Sequence, residues 1–230
     1  MSGDHRPMPS LERDLAATAA LALYSFIVAF GFARVFSGWD FLVELSVIVV
    51  LGHGISFLLR RARVSGWIAV PAVLLVLLYT LLALRYSPTF STALPSEATR
   101  QIVDLELGLV REQFRTAVAP VIYGTGWATL ALFAMTITVV MADTFAFRAE
   151  ARGEALVPGG VLFVFIAALG SDRLRIASAA LLIAAGIIAV VALRAYHDRS
   201  RRVELTSGRS RSLALPAAVA SACVVALLAG

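Results

Sequence analysis

Residues 41–63 read FLVELSVIVVLGHGISFLLRRAR, and the reading of this stretch decides the fold. From Phe41 to Leu59 only Glu44 and His53 bring an ionisable group into an apolar run, which then stops at Arg60-Arg61-Ala62-Arg63. About 20 apolar residues in an α-helix cross the hydrocarbon of a bilayer. Arginines in the short loop that follows mark the cytoplasmic side. The next run, from Gly66 to Leu84, carries no charge and has Trp67 and Tyr86 near its ends, where amphipathic rings favour the headgroup region. Pro71 falls in its first turns, where a missing N–H is best tolerated.

Outward from this pair the pattern recurs. Apolar runs extend from about Leu15 to Phe36, Val121 to Ala142, Ala155 to Gly170, Ile176 to Leu193 and Leu213 to Gly230. The first is too long for a signal peptide, and Phe36-Ser37-Gly38-Trp39 is a poor cleavage site, so it reads as an uncleaved helix. The run from Ala155 is short, and at ~1.5 Å per residue it falls below a ~30 Å hydrocarbon core. The 230 residues are 60% hydrophobic and 15% charged, with mean hydropathy +0.86, whereas a soluble domain is nearer half apolar and a quarter charged. These figures exclude a soluble globular domain, a disordered tail and a nucleic-acid-binding module. The expected fold is all-α, a polytopic transmembrane helix bundle of six to seven spans with one amphipathic surface helix.

That surface helix comes from the polar stretch 86–119. Ser96-Glu97 offers a start, and Ile102, Leu105, Leu109 and Val110 fit one helical stripe, with Leu107 off it. Asp104, Glu106, Arg111, Glu112 and Arg115 make the segment too charged to span, so it is expected on the membrane surface or capping the bundle.

All 20 basic residues are arginines. With seven spans and a cytoplasmic N-terminus, thirteen of them fall inside and seven outside, the orientation that positive charge in short loops favours. Residues 1–14 are then a cytoplasmic N-terminal segment. Residues 15–230 form the bundle, with 86–119 extracytoplasmic. The last run would deliver whatever follows to the outer face, and its lack of a polar tail suggests that a further domain follows in a longer protein. The loop from Arg194 to Arg211 is a topology signal, or alternatively a site for anionic lipid headgroups.

Ionisable groups at membrane depth are functional candidates because they are costly there. Glu44 and His53 are nine residues apart, and at about 100° per residue they face opposite sides of one helix. Glu44 is expected to snorkel to the interface or to pair with Arg34. His53, between Gly52 and Gly54, is a packed histidine bonded to a neighbouring helix, or else a proton relay or ligand. Asp143 is expected at the interface or paired with an arginine of the inner loops. No set of His, Cys, Asp and Glu has metal-ligand spacing, and Gly52-His53-Gly54 and Gly124-Thr125-Gly126 lack the context of phosphate loops. No cofactor and no catalytic residue is assigned. Cys223, in an apolar run, reads as a buried, inert thiol.

Four phrases carry a resemblance: Gly31-Phe32-Ala33-Arg34-Val35-Phe36, Phe114-Arg115-Thr116-Ala117-Val118-Ala119-Pro120-Val121, Met141-Ala142-Asp143-Thr144-Phe145-Ala146-Phe147-Arg148, and Glu154-Ala155-Leu156-Val157-Pro158-Gly159-Gly160-Val161-Leu162-Phe163-Val164-Phe165. Together they resemble the N-terminal membrane region of actinobacterial transglutaminase-like proteins of the TgpA type. The resemblance implies a membrane block followed by an extracytoplasmic transglutaminase-like domain with a Cys-His-Asp triad, and then a C-terminal helix. No residue of this chain matches the triad. The implied role is a non-catalytic membrane module covalently joined to an extracytoplasmic domain. The alternative is a small transporter or channel component with His53 in its interior.

Overall fold

The structure, a computed structural model, describes residues 10–151 and 153–204. It is an all-α bundle. Helices α1 (Leu11–Gly31), α2 (Asp40–Arg61), α3 (Gly66–Tyr86), α5 (Thr125–Asp143) and α7 (Arg175–Glu204) lie in segments long and apolar enough to cross a membrane. Between α3 and α5 come a two-stranded hairpin, β1 (Phe90–Ser91) with β2 (Leu94–Pro95), and the amphipathic α4 (Glu97–Gln113). A short α6 (Val157–Leu169) precedes α7. The expected seventh run from Leu213, Cys223 and the chain after Glu204 lie outside the described residues.

The bundle has an apolar core and an apolar surface as well. Val43, Val50, Leu58, Leu75, Ile187 and Val191 face outward, while Asp14, Ser25, Arg34, His53, Thr136 and Asp143 are buried. Outward aliphatic side chains suit an apolar solvent, and polar groups then serve as contacts between helices. Packing is close where residues are small. A Cβ built on Gly52 of α2 would lie 2.4 Å from Val139 of α5, and one on Gly159 of α6 2.6 Å from the Tyr24 ring of α1.

The fifth expected span takes an unusual form. Asp143 ends α5 beside the end of α2, whereas Ser171, just after α6, is bonded to Arg34 at the far end of α1. The chain therefore passes from one end of the bundle to the other between these points. Thirteen helical residues cover only ~20 Å. The remainder is a π-helical turn, Thr144–Arg148, a connector, and a single 3-10 turn, Glu154–Leu156. Irregular backbone at this depth survives only where protein satisfies its polar groups. Ala155 is fully buried, and the Leu156 carbonyl accepts from the Tyr24 hydroxyl at 2.9 Å.

Two further expectations are corrected, and the expected amphipathic α4 forms. Helix α1 begins at Leu11, so Asp14 belongs to the bundle and not to an N-terminal segment; pairing with Arg60 lets it be buried. Arg194 lies within α7, which continues to Glu204, so the first part of the Arg194–Arg211 segment is helix. On α4, Ile102, Leu105 and Leu109 are exposed, and Val110 is buried with Glu106 and Leu107 partly so. The inward face is set by what α4 caps: Glu106 accepts from the Tyr86 hydroxyl at 2.7 Å, and the Glu106 backbone lies against Gly126. Ser96 starts this helix as expected, its N–H bonded to Thr99 Oγ1 at 3.0 Å.

Candidate functional site

Three helices each carry a polar stripe at near-heptad spacing, and each stripe points inward. On α1 it is Asp14, Thr18 and Ser25; on α2, His53, Ser56 and Arg60; on α5, Thr129, Thr136 and Asp143. Seven residues are close to two helical turns, so each set shares a face. Where the three faces meet, Asp14, Thr18, Ser25, His53, Arg60 and Asp143 link into one seam.

Arg60 is its centre. Its guanidinium donates to Asp143 Oδ1 at 2.7 Å, to Asp14 Oδ1 at 3.2 Å and to Thr18 Oγ1 at 2.7 Å. The Phe147 ring of the π-turn lies 3.6 Å from the guanidinium carbon, a cation–π contact. One cation thus ties α1, α2, α5 and the π-turn together. Only 3% of each aspartate side chain is exposed, so neither carboxylate relies on water.

About two turns deeper along α2, His53 continues the seam. Its Nε2 lies 3.0 Å from Ser25 Oγ, and its Nδ1 lies 3.8 Å from Asp143 Oδ1. Nδ1 has no hydrogen-bond partner, and neither has the buried hydroxyl of Thr136 on the Asp143 face of α5. His53 is thus bonded to a neighbouring helix, as one expectation had it, with one ring nitrogen still unpaired.

The other candidates sit at the opposite end and do not join this seam. Glu44 pairs with Arg85 at 3.4 Å and accepts from the Tyr123 hydroxyl at 2.8 Å, so of its two expected placements the pairing with Arg34 is not the one formed. Arg85 also lies over the Tyr123 ring. Burial, and next the bond to Glu44, push the Tyr123 phenol well above the usual tyrosine range. Arg34 is occupied elsewhere. It donates through Nε to the Ser171 carbonyl at 2.9 Å and through Nη2 to the Ala167 carbonyl at 3.4 Å, while its own carbonyl accepts from Ser171. It is a clip on the turn between α6 and α7. A Cβ on Gly170 would lie 2.7 Å from Arg34 Cβ, which is why that turn carries glycine.

The sequence reading missed Ser25, Asp14, Thr18 and Phe147, and treated Arg60 only as a topology signal. A sign was present, because Arg60 follows His53 by seven residues and Ser25 follows Thr18 by seven. Among the described residues no group of three or more His, Cys, Asp or Glu side chains is placed to hold a metal ion. Searches against protein-family models, curated proteins and solved structures found no match.

Proposed function

We propose that this chain is a non-catalytic integral membrane module, N-terminus cytoplasmic, that holds a covalently following extracytoplasmic transglutaminase-like domain at a bacterial plasma membrane. The observation that carries the reading is the use made of buried charge. Arg60 joins four segments, Arg34 fastens the α6–α7 turn, and Glu44 with Arg85 and Tyr123 joins α2, α3 and the lead into α5. These groups cross-brace helices, as an anchor requires. The phrase resemblance supplies the identity of the domain to be held. On this orientation the end with Arg60, Arg61 and Arg63 is cytoplasmic and α4 is extracytoplasmic.

Two measurements test it. Reading the gene beyond codon 230 is expected to give a continuing frame that encodes a Cys…His…Asp domain; a stop codon there overturns the reading. Cysteines placed at Arg111 and Arg63 are expected to differ in whole cells, with Arg111→Cys labelled by a membrane-impermeant maleimide and Arg63→Cys protected.

The unpaired Nδ1 of His53, 3.8 Å from Asp143, favours a second reading, a proton-coupled transporter component. Proton flux into vesicles carrying the purified chain, read by an entrapped pH dye and abolished in His53→Ala, would decide for it.

A further inference from the structure

The first turns of α3 and the π-turn after α5 border an open cleft of about 900 Å³, at the end of the bundle that carries Arg60, Arg61 and Arg63. Its walls include Trp67, Val70 and Pro71 on one side and Phe147 and Arg148 on the other. A volume of this order accommodates a small molecule or a lipid headgroup. Arg148 reaches across the cleft wall, and a Cβ on Gly66 would lie 3.2 Å from its Nη1. The carboxylate whose field acts on Arg148 is Asp143, already bound by Arg60 at 2.7 Å. Among the described residues no ion pair to Arg148 forms, and its side chain is partly buried. A guanidinium at the edge of such a cleft offers an anion a charge-assisted contact. Trp67 is 92% exposed and Ile68 64%, so the rim offers a ring and an aliphatic chain at the level of the helix ends. That combination suits an amphiphile with a phosphate at one end and acyl chains at the other.

We propose that this cleft binds one anionic phospholipid, its phosphate on Arg148 and its glycerol and upper acyl chain against Trp67, Val70 and Pro71. Arginine fits phosphate through two parallel N–H donors. Phe147 is shared between this cleft and the Arg60 seam, so the lipid braces the ring on which Arg60 rests.

The test uses the full chain in nanodiscs of phosphatidylcholine with and without phosphatidylglycerol, with retained lipid counted by native mass spectrometry. The parent chain is expected to keep one phosphatidylglycerol after release. Arg148→Ala is expected to bind it about tenfold more weakly, the usual worth of one charge-assisted contact. Arg148→Lys, which keeps the charge but loses the planar fork, falls between. Val70→Trp, which fills the cleft and leaves the guanidinium, is expected to lose the lipid as well and decides the matter if Arg148→Ala does not fold. Arg115→Ala, beyond α4 at the other end, keeps it. Unchanged retention in both Arg148→Ala and Val70→Trp overturns the proposal, as does equal loss in Arg115→Ala. Displacement by inorganic phosphate, with phosphatidylcholine retained equally well, would mark a free-phosphate site and overturn it too.

Discussion

Replacing Arg60 by methionine keeps much of the side chain's length and removes the cation between Asp14 and Asp143. The seam then holds two carboxylates, each 3% exposed, with no guanidinium against them. Three donated hydrogen bonds disappear, at 2.7, 3.2 and 2.7 Å, and so does the contact with Phe147. Each charge-assisted bond contributes about 1.5–3 kcal/mol, but the native state also bears the cost of desolvating the guanidinium, so the bonds do not simply add. What governs the variant is the pair of buried charges left behind, and breaking a buried ion pair from one side costs about 3–5 kcal/mol. For a chain of this size that corresponds to a fall of roughly 6–20 °C in melting temperature. The assay is thermal unfolding in detergent micelles, followed by circular dichroism and by loss of monodisperse protein. A triple variant, Arg60→Met with Asp14→Asn and Asp143→Asn, is expected to regain most of the loss, since an apolar and amide seam carries no unpaired charge. An Arg60→Met protein that melts with the parent, or a triple variant that melts lower than Arg60→Met, would refute the claim that this cation holds the helices.

Gly52→Leu drives a side chain into Val139 and Leu77 and is expected to destabilise by about 1–3 kcal/mol, whereas Gly54→Ala, where a Cβ meets nothing within 4 Å, is expected to be neutral or to stabilise by up to ~1 kcal/mol in the same melt. Ser25→Ala leaves His53 Nε2 without its partner at 3.0 Å, with an expected loss of about 1–3 kcal/mol. Arg34→Ala unfastens the Ser171 and Ala167 carbonyls, and faster proteolysis at the α6–α7 turn is the expected readout. Tyr123 titrates above ordinary tyrosine, so below pH ~10 its phenol is neutral in both states and its stabilising bond to Glu44 is fully present. Above that pH the unfolded chain loses the proton first, stability falls as pH rises, and Tyr123→Phe removes this part of the alkaline slope.

The membrane class, the helices themselves and their charged boundaries were legible in the sequence because they are local. A run such as Gly66 to Leu84 has no soluble alternative, and the Arg60–Arg63 cluster ends a span wherever it sits. That His53 and Glu44 belong to different sites was also readable, since helical periodicity alone puts them on opposite faces. Partner choice was not. The sequence offers Glu44 the interface or Arg34, and only the packing of α3 against α2 brings it Arg85. The short run from Ala155 looked too short to span. The structure carries the chain across by burying an irregular connector against α1, where Tyr24 supplies a hydrogen bond that no local pattern could assign. The seam shows the same division. Once the helix bounds are known, spacing alone puts Asp14 with Thr18, His53 with Arg60, and Thr136 with Asp143 on single faces, because 3.6 residues per turn is a property of each helix alone. Which faces meet depends on contacts between residues far apart in the chain, 46 positions from Asp14 to Arg60 and 83 from Arg60 to Asp143, and only the tertiary structure brings those two carboxylates to one arginine.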